Sequence, residues 1–123
     1  ALAQTVKLCG DELTIYSGND DQITAFMSLG AKGVISVLSN IAPRAVHDMV
    51  KMYLDGDTAV STELQLKYLD LCSSLFSDVN PIPIKEAMNM MGMEVGSCRL
   101  PLAQIQPQAK EKLRRSLSAL GMI

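Results

Sequence analysis

Gly33-Val34-Ile35-Ser36-Val37-Leu38 is a nearly unbroken apolar run between Gly30-Ala31-Lys32 and the loop Ser39-Asn40-Ile41-Ala42-Pro43. Its length and its β-branched residues read as a strand buried on both faces, the pattern of a parallel sheet covered by helices. A second β-prone run, Leu13-Thr14-Ile15-Tyr16-Ser17, stops at Gly18. Between the two runs, Asn19 or Asp20 is placed to cap a helix whose residues Ile23, Phe26, Met27 and Leu29 recur at helical spacing. Strand, helix, strand, helix argues for βαβ units. Two strands alone do not make such a sheet. Its other strands are therefore expected before Ala1, and the chain reads as a piece of a longer one. The opening Ala1-Leu2-Ala3-Gln4-Thr5-Val6-Lys7 supports this, since it reads as the middle of a helix.

Outward from this centre, the rest is helical. Pro43 takes a first helical position, and Val46, Met49, Val50 and Tyr53 mark a buried face ending near Gly56. Asp57 or Thr58 caps a long helix carrying Val60, Leu64, Tyr68, Leu71 and Leu75. Asn80-Pro81-Ile82-Pro83 interrupts the pattern, and a helix from about Ile84 to Met91 stops at Gly92. Arg99-Leu100-Pro101-Leu102 is an extended linker. Pro107 opens a last helix with Leu113, Leu117 and Leu120, closed by Gly121.

Composition narrows the function. In 123 residues, 11 basic and 13 acidic side chains give a net charge of −2, which leaves no electrostatic footprint for nucleic acid. Five aromatic residues supply few stacking platforms. No apolar run reaches the length of a membrane span. Cys9, Cys72 and Cys98 are too few and too widely spaced for a disulfide framework, and with a single histidine a zinc site is disfavoured. A reducing, cytoplasmic setting is expected.

The rival constellations are weak. Ser36, His47 and Asp48 lack the glycine pattern of a nucleophile elbow, and His47-Asp48 reads as a surface pair. Gly30 and Gly33 precede a strand, whereas a phosphate loop precedes a helix. Met88, Met90, Met91 and Met93 read as packing filler or as padding for a subunit contact.

Taken together, Ile15-Tyr16-Ser17-Gly18-Asn19-Asp20-Asp21, Gly30-Ala31-Lys32-Gly33-Val34-Ile35-Ser36-Val37, Asn40-Ile41-Ala42-Pro43, Asn80-Pro81-Ile82-Pro83-Ile84-Lys85 and Arg99-Leu100-Pro101-Leu102 form a recognisable series. It resembles the C-terminal part of the dihydrodipicolinate synthase (4-hydroxy-tetrahydrodipicolinate synthase) family, in the pyruvate-dependent class I aldolase superfamily with N-acetylneuraminate lyase. The resemblance implies an α/β fold: the last two strands of a (β/α)8 TIM barrel plus a C-terminal α-helical domain. It divides the chain into final barrel elements at 1–56 and a helical domain at 57–123.

The implied reaction is lysine-pathway carbon–carbon bond formation. Pyruvate forms a Schiff base with a lysine, and the enamine attacks aspartate semialdehyde. The resemblance sets that lysine before Ala1, so no catalytic residue is expected here, and the segment alone is expected to be inactive. It implies a homo-oligomer, dimer or tetramer, with no metal or organic cofactor, no nucleic acid and no membrane. It assigns substrate-binding positions to Gly18, Asn19, Ile35 and Asn80. At Gly18, a missing Cβ admits substrate to the backbone; a plain turn glycine reads equally well. Asn19 stands where the family often has Asp, and it keeps hydrogen bonding without charge. Ile35 contributes only its backbone carbonyl, its side chain being core. Asn80 reaches the semialdehyde end of the pocket, or is a pre-proline turn asparagine. Two alternatives stay open: another pyruvate aldolase acting on a sugar acid, and a non-catalytic helical interaction fragment.

Overall fold

The computed structural model describes residues 2–123. Two compact units divide between Tyr68 and Leu69.

The first unit begins with α1 (Leu2–Cys9), which buries no residue fully. Gly10, at φ +52°, turns the chain out of it. A short 3-10 turn follows at Gly10–Glu12, and another at Asp20–Gln22 leads into α2 (Ile23–Ser28). A third 3-10 turn (Leu38–Asn40) precedes α3 (Pro43–Leu54), which opens on the proline as expected from its fixed φ and missing N–H. Gly56, at φ +93°, reverses the chain, and the Asp57 carboxylate accepts the Val60 N–H at 3.2 Å to cap α4 (Thr58–Lys67). Helices α2, α3 and α4 pack on one another. The buried residues of this unit include Ile23, Met27, Leu38, Ile41, Val46 and Met49.

The second unit is α5 (Leu69–Leu75), α6 (Ile82–Met90) and α7 (Pro107–Ala119). Both α5 and α6 pack on α7. Leu71, Leu75, Ala87, Leu113 and Leu117 are fully buried. Among the described residues no helix is long and apolar enough to cross a membrane.

The expected α/β architecture is corrected. Among the described residues no strand forms, and helices carry the fold. The two β-prone runs meet in one isolated parallel bridge, Ser17 with Val34. Three hydrogen bonds, each 2.8 Å, hold them: Lys32 N–H to the Ile15 carbonyl, Ser17 N–H to that of Gly33, and Ile35 N–H to that of Ser17. The extended path then ends, because the Val37 and Leu38 amides donate to the Asp20 carboxylate at 2.8 and 3.0 Å rather than to another strand. The placement of the chain as the last two strands of a barrel plus a C-terminal helical domain falls with this finding.

Two smaller corrections follow. Ile35 is 73% exposed, not core. The single helix expected from Asp57 to Leu75 breaks at Tyr68 into α4 and α5. On α4 the buried positions are Ser61 and Gln65, while Val60 is exposed.

Candidate functional site

The candidate site is the loop that joins the paired segments of the first unit. Ser17 is fully buried. Its hydroxyl donates to the Asn19 carbonyl at 2.9 Å and accepts the Asn19 N–H at 3.1 Å. This reciprocal pair pinches the chain around Gly18, which is exposed and has open space where a Cβ would stand. Gly33 differs: a Cβ there would meet the Tyr16 ring at 3.2 and 3.3 Å. Asn19 is exposed and makes no side-chain cap, so the expected capping by Asn19 is not seen.

Asp20 lies beneath the loop, 1% exposed. One carboxylate oxygen accepts the Ser36 hydroxyl; the other accepts the Val37 and Leu38 amides. The Ser36 hydroxyl accepts the Ser39 N–H at 2.9 Å, and the Ser39 hydroxyl donates to the Ser36 carbonyl at 3.0 Å. From α4, the Gln65 amide nitrogen donates to the Asp20 backbone carbonyl at 2.8 Å, and its oxygen accepts the Thr24 N–H at 3.3 Å. Every group of this buried network has a partner, as burial demands.

The structure therefore brings Gly18, Asn19 and Ile35 onto neighbouring backbone through the Ser17–Ile35 pairing. No described donor takes the Ile35 carbonyl. Asn80 belongs to the second unit, where it is exposed at the turn before α6. Nearby, the Asp78 carboxylate accepts the Gln106 and Val79 amides at 3.0 and 2.7 Å, and these hold its carboxyl below the usual range. Sequence reasoning missed Gln65 as an inward residue and assigned Asp20 only to capping. The spacing of Gln65 four residues after buried Ser61 carries the only signal.

Other candidates are already committed. His47 shares a 3.0 Å hydrogen bond with Asp48, which also accepts from Arg44 at 3.1 Å. The His47 hydrogen bond, aided by Arg44 and opposed by desolvation, keeps the Asp48 carboxyl low. Ser36 is occupied by Asp20 and Ser39, so these residues make no nucleophilic triad. All seven lysines are exposed except half-buried Lys85, whose ammonium donates to the Ser97 carbonyl at 2.7 Å. Among the described residues no group of three or more His, Cys, Asp or Glu is placed to hold a metal ion. A groove of about 660 Å³ in the second unit is lined by Ile82, Asn89 and Cys98 together with charged residues. Its Lys110 pairs with Glu86 at 2.7 Å and its Asn89 donates to the Gly96 carbonyl at 3.0 Å.

A profile of the Dihydrodipicolinate synthetase family matches residues 1–120. Over 122 residues, the chain is 45% identical to the 4-hydroxy-tetrahydrodipicolinate synthase of Acetivibrio thermocellus and 49% identical to that of Lachnoclostridium phytofermentans. Each alignment covers 99% of this chain and 42% of the relative, so the chain spans about two-fifths of their length. The crystal structure of dihydrodipicolinate synthase from Aquifex aeolicus superposes with a TM-score of 0.91 at 38% identity, covering 98% of this chain and 41% of that one. For the synthase from Thermotoga maritima the TM-score is 0.92 at 35% identity, covering 99% and 42%. With its family profile matched along nearly the whole length, the chain belongs to the dihydrodipicolinate synthetase family.

Proposed function

We propose that the chain is part of a 4-hydroxy-tetrahydrodipicolinate synthase, a lyase of lysine and diaminopimelate biosynthesis. In this reading pyruvate condenses with a lysine to form an imine, expelling water. Loss of a methyl proton gives the enamine, whose carbon attacks the aldehyde of aspartate semialdehyde, and the adduct cyclises. The observation that carries the reading is the family match over residues 1–120 with synthases at 45 and 49% identity.

The nucleophilic lysine is assigned to the part of the synthase that this chain does not span. Such a lysine needs a desolvated setting to lose its proton near neutral pH, and no described lysine is buried. What this chain supplies is a rim. Gly18 leaves open space for a small substrate beside the backbone, and the Ile35 carbonyl is an acceptor without a described donor. Asn19 offers an uncharged hydrogen-bonding side chain at the same loop. Asn80 is assigned to the semialdehyde, a role that rests on the family resemblance. A homo-oligomer, dimer or tetramer, is part of the proposal. So is a cytoplasmic setting, in keeping with the wide spacing of Cys9, Cys72 and Cys98 along the chain.

The test uses the complete natural polypeptide. Borohydride added with pyruvate should trap a covalent adduct on one lysine outside these residues, and turnover should require aspartate semialdehyde. Turnover of a sugar acid instead would replace the synthase by another pyruvate aldolase. Absence of any trapped adduct would remove the imine chemistry altogether.

A further inference from the structure

We propose that Asp20 is a positioning residue that aims the Ile35 carbonyl, and that Gln65 braces it from α4. The inference rests on the proposed pyruvate chemistry and adds two residues to it. The Ile35 carbonyl has no described donor to fix its direction, so its neighbours must do so. On one side, the Ile35 N–H is tied to the Ser17 carbonyl at 2.8 Å. On the other, the Val37 and Leu38 amides and the Ser36 hydroxyl are all tied to the Asp20 carboxylate. The peptide carrying the carbonyl is thus held between two anchors, one neighbouring Gly18 and one at Asp20.

Asp20 is itself held. Its backbone carbonyl accepts from Gln65 at 2.8 Å, and Gln65 is only 5% exposed. One buried carboxylate thereby joins the Gly18 loop, the turn after Ile35 and helix α4. Asparagine is able to keep this arrangement: its oxygen takes the two amides and its nitrogen donates to the Ser36 hydroxyl. Alanine keeps none of it. The buried Leu38 amide, the half-buried Val37 amide and the Ser36 hydroxyl then lack their acceptor, and the turn must move to find water. Small displacements of a positioning group cost up to about a hundredfold in rate.

The experiment compares the complete natural polypeptide with Asp20→Ala, Asp20→Asn and Gln65→Ala. It measures kcat and KM for pyruvate and for aspartate semialdehyde, the rate of borohydride-trappable imine formation, and thermal unfolding. Asp20→Ala should lower kcat/KM for pyruvate about 30- to 100-fold, well below its melting temperature. The KM for aspartate semialdehyde should stay within about threefold, and imine formation should slow in parallel with turnover. Asp20→Asn should restore activity to within about threefold of wild type, and Gln65→Ala should fall between. Wild-type kinetics in folded Asp20→Ala would overturn the inference, as would a loss that Asn does not rescue. If Asp20→Ala does not fold, wild-type kinetics in Gln65→Ala overturn it. If the wild type itself forms no imine, the functional reading has failed and this inference falls with it, an outcome recognised by the inactive parent.

Discussion

The two units bury different chemistry. Among the described residues, four of the five buried polar residues, Ser17, Asp20, Ser61 and Gln65, lie in the first unit, and the fifth, Ser74, in the second. In the second unit, Leu71, Leu75, Leu113 and Leu117 dominate, and Ser74 bonds to the Asp70 carbonyl and to Ser116 within its own helices. Both units leave large apolar side chains in solvent, among them Leu13, Tyr16 and Ile35 in the first and Phe76, Val79 and Leu100 in the second. Apolar burial is non-directional and tolerates small shifts. Buried hydrogen bonds are directional and hold loops in one arrangement at a cost in tolerance. The second unit is therefore held mainly by volume, whereas the first adds geometry to an apolar core of its own. A backbone carbonyl that must keep one direction belongs in a setting fixed by such hydrogen bonds.

The largest expected effect breaks the volume-held unit. Leu113→Ala should cost about 2–5 kcal/mol, through lost burial and the cavity left behind. Chemical denaturation of the chain measures this. A loss below about 1 kcal/mol would mean that α5 and α6 do not depend on α7 as the buried leucines indicate.

Next comes the geometry-held unit. Asp20→Ala should cost about 2–3 kcal/mol by stranding buried donors, with Asp20→Asn recovering most of it. Amide exchange should show Val37 and Leu38 losing protection in the alanine variant alone. Unchanged protection would deny that the carboxylate holds them. Gln65→Ala should cost about 1 kcal/mol, and it sharpens the contrast: Gln65 is buried, but its contribution is two hydrogen bonds rather than apolar area.

The smallest effect lies on the surface of α7. Arg114 and then Arg115 hydrogen-bond Glu111 and lower its carboxyl to about 2 from an ordinary 4.5. A depressed carboxyl contributes stability above about pH 4.5, and that contribution is lost as pH falls through about 2. Glu111→Gln should remove this part of the acid sensitivity, and salt should weaken it in the parent, since the pair is exposed. Identical acid melts for the two proteins would show the contact to be energetically silent.

Much of the helical pattern is legible in the sequence. Pro43 and Pro107 open helices because their missing N–H has no intrahelical partner there, and Gly56 and Gly121 follow helix ends at positive φ. The run 33–38 misleads because an apolar sequence states a preference for extension but not a partner. With only residues 15–17 alongside, and with the amides at 37 and 38 claimed by a side chain, it yields one bridge. The family series 15–21, 30–37 and 80–85 is legible, and the profile match agrees with it. The network beneath the loop is not, because a buried aspartate and glutamine look like surface residues in any hydrophobic pattern. Only their partners, 16 to 45 positions away, show that they face inward.

The most direct test is the structure of the complete natural polypeptide with pyruvate bound. Pyruvate is expected beside Gly18, with the Ile35 carbonyl in contact with it and Asp20 still holding the amides of Val37 and Leu38. Pyruvate seated elsewhere, with the 17–38 loop facing empty solvent, would contradict it.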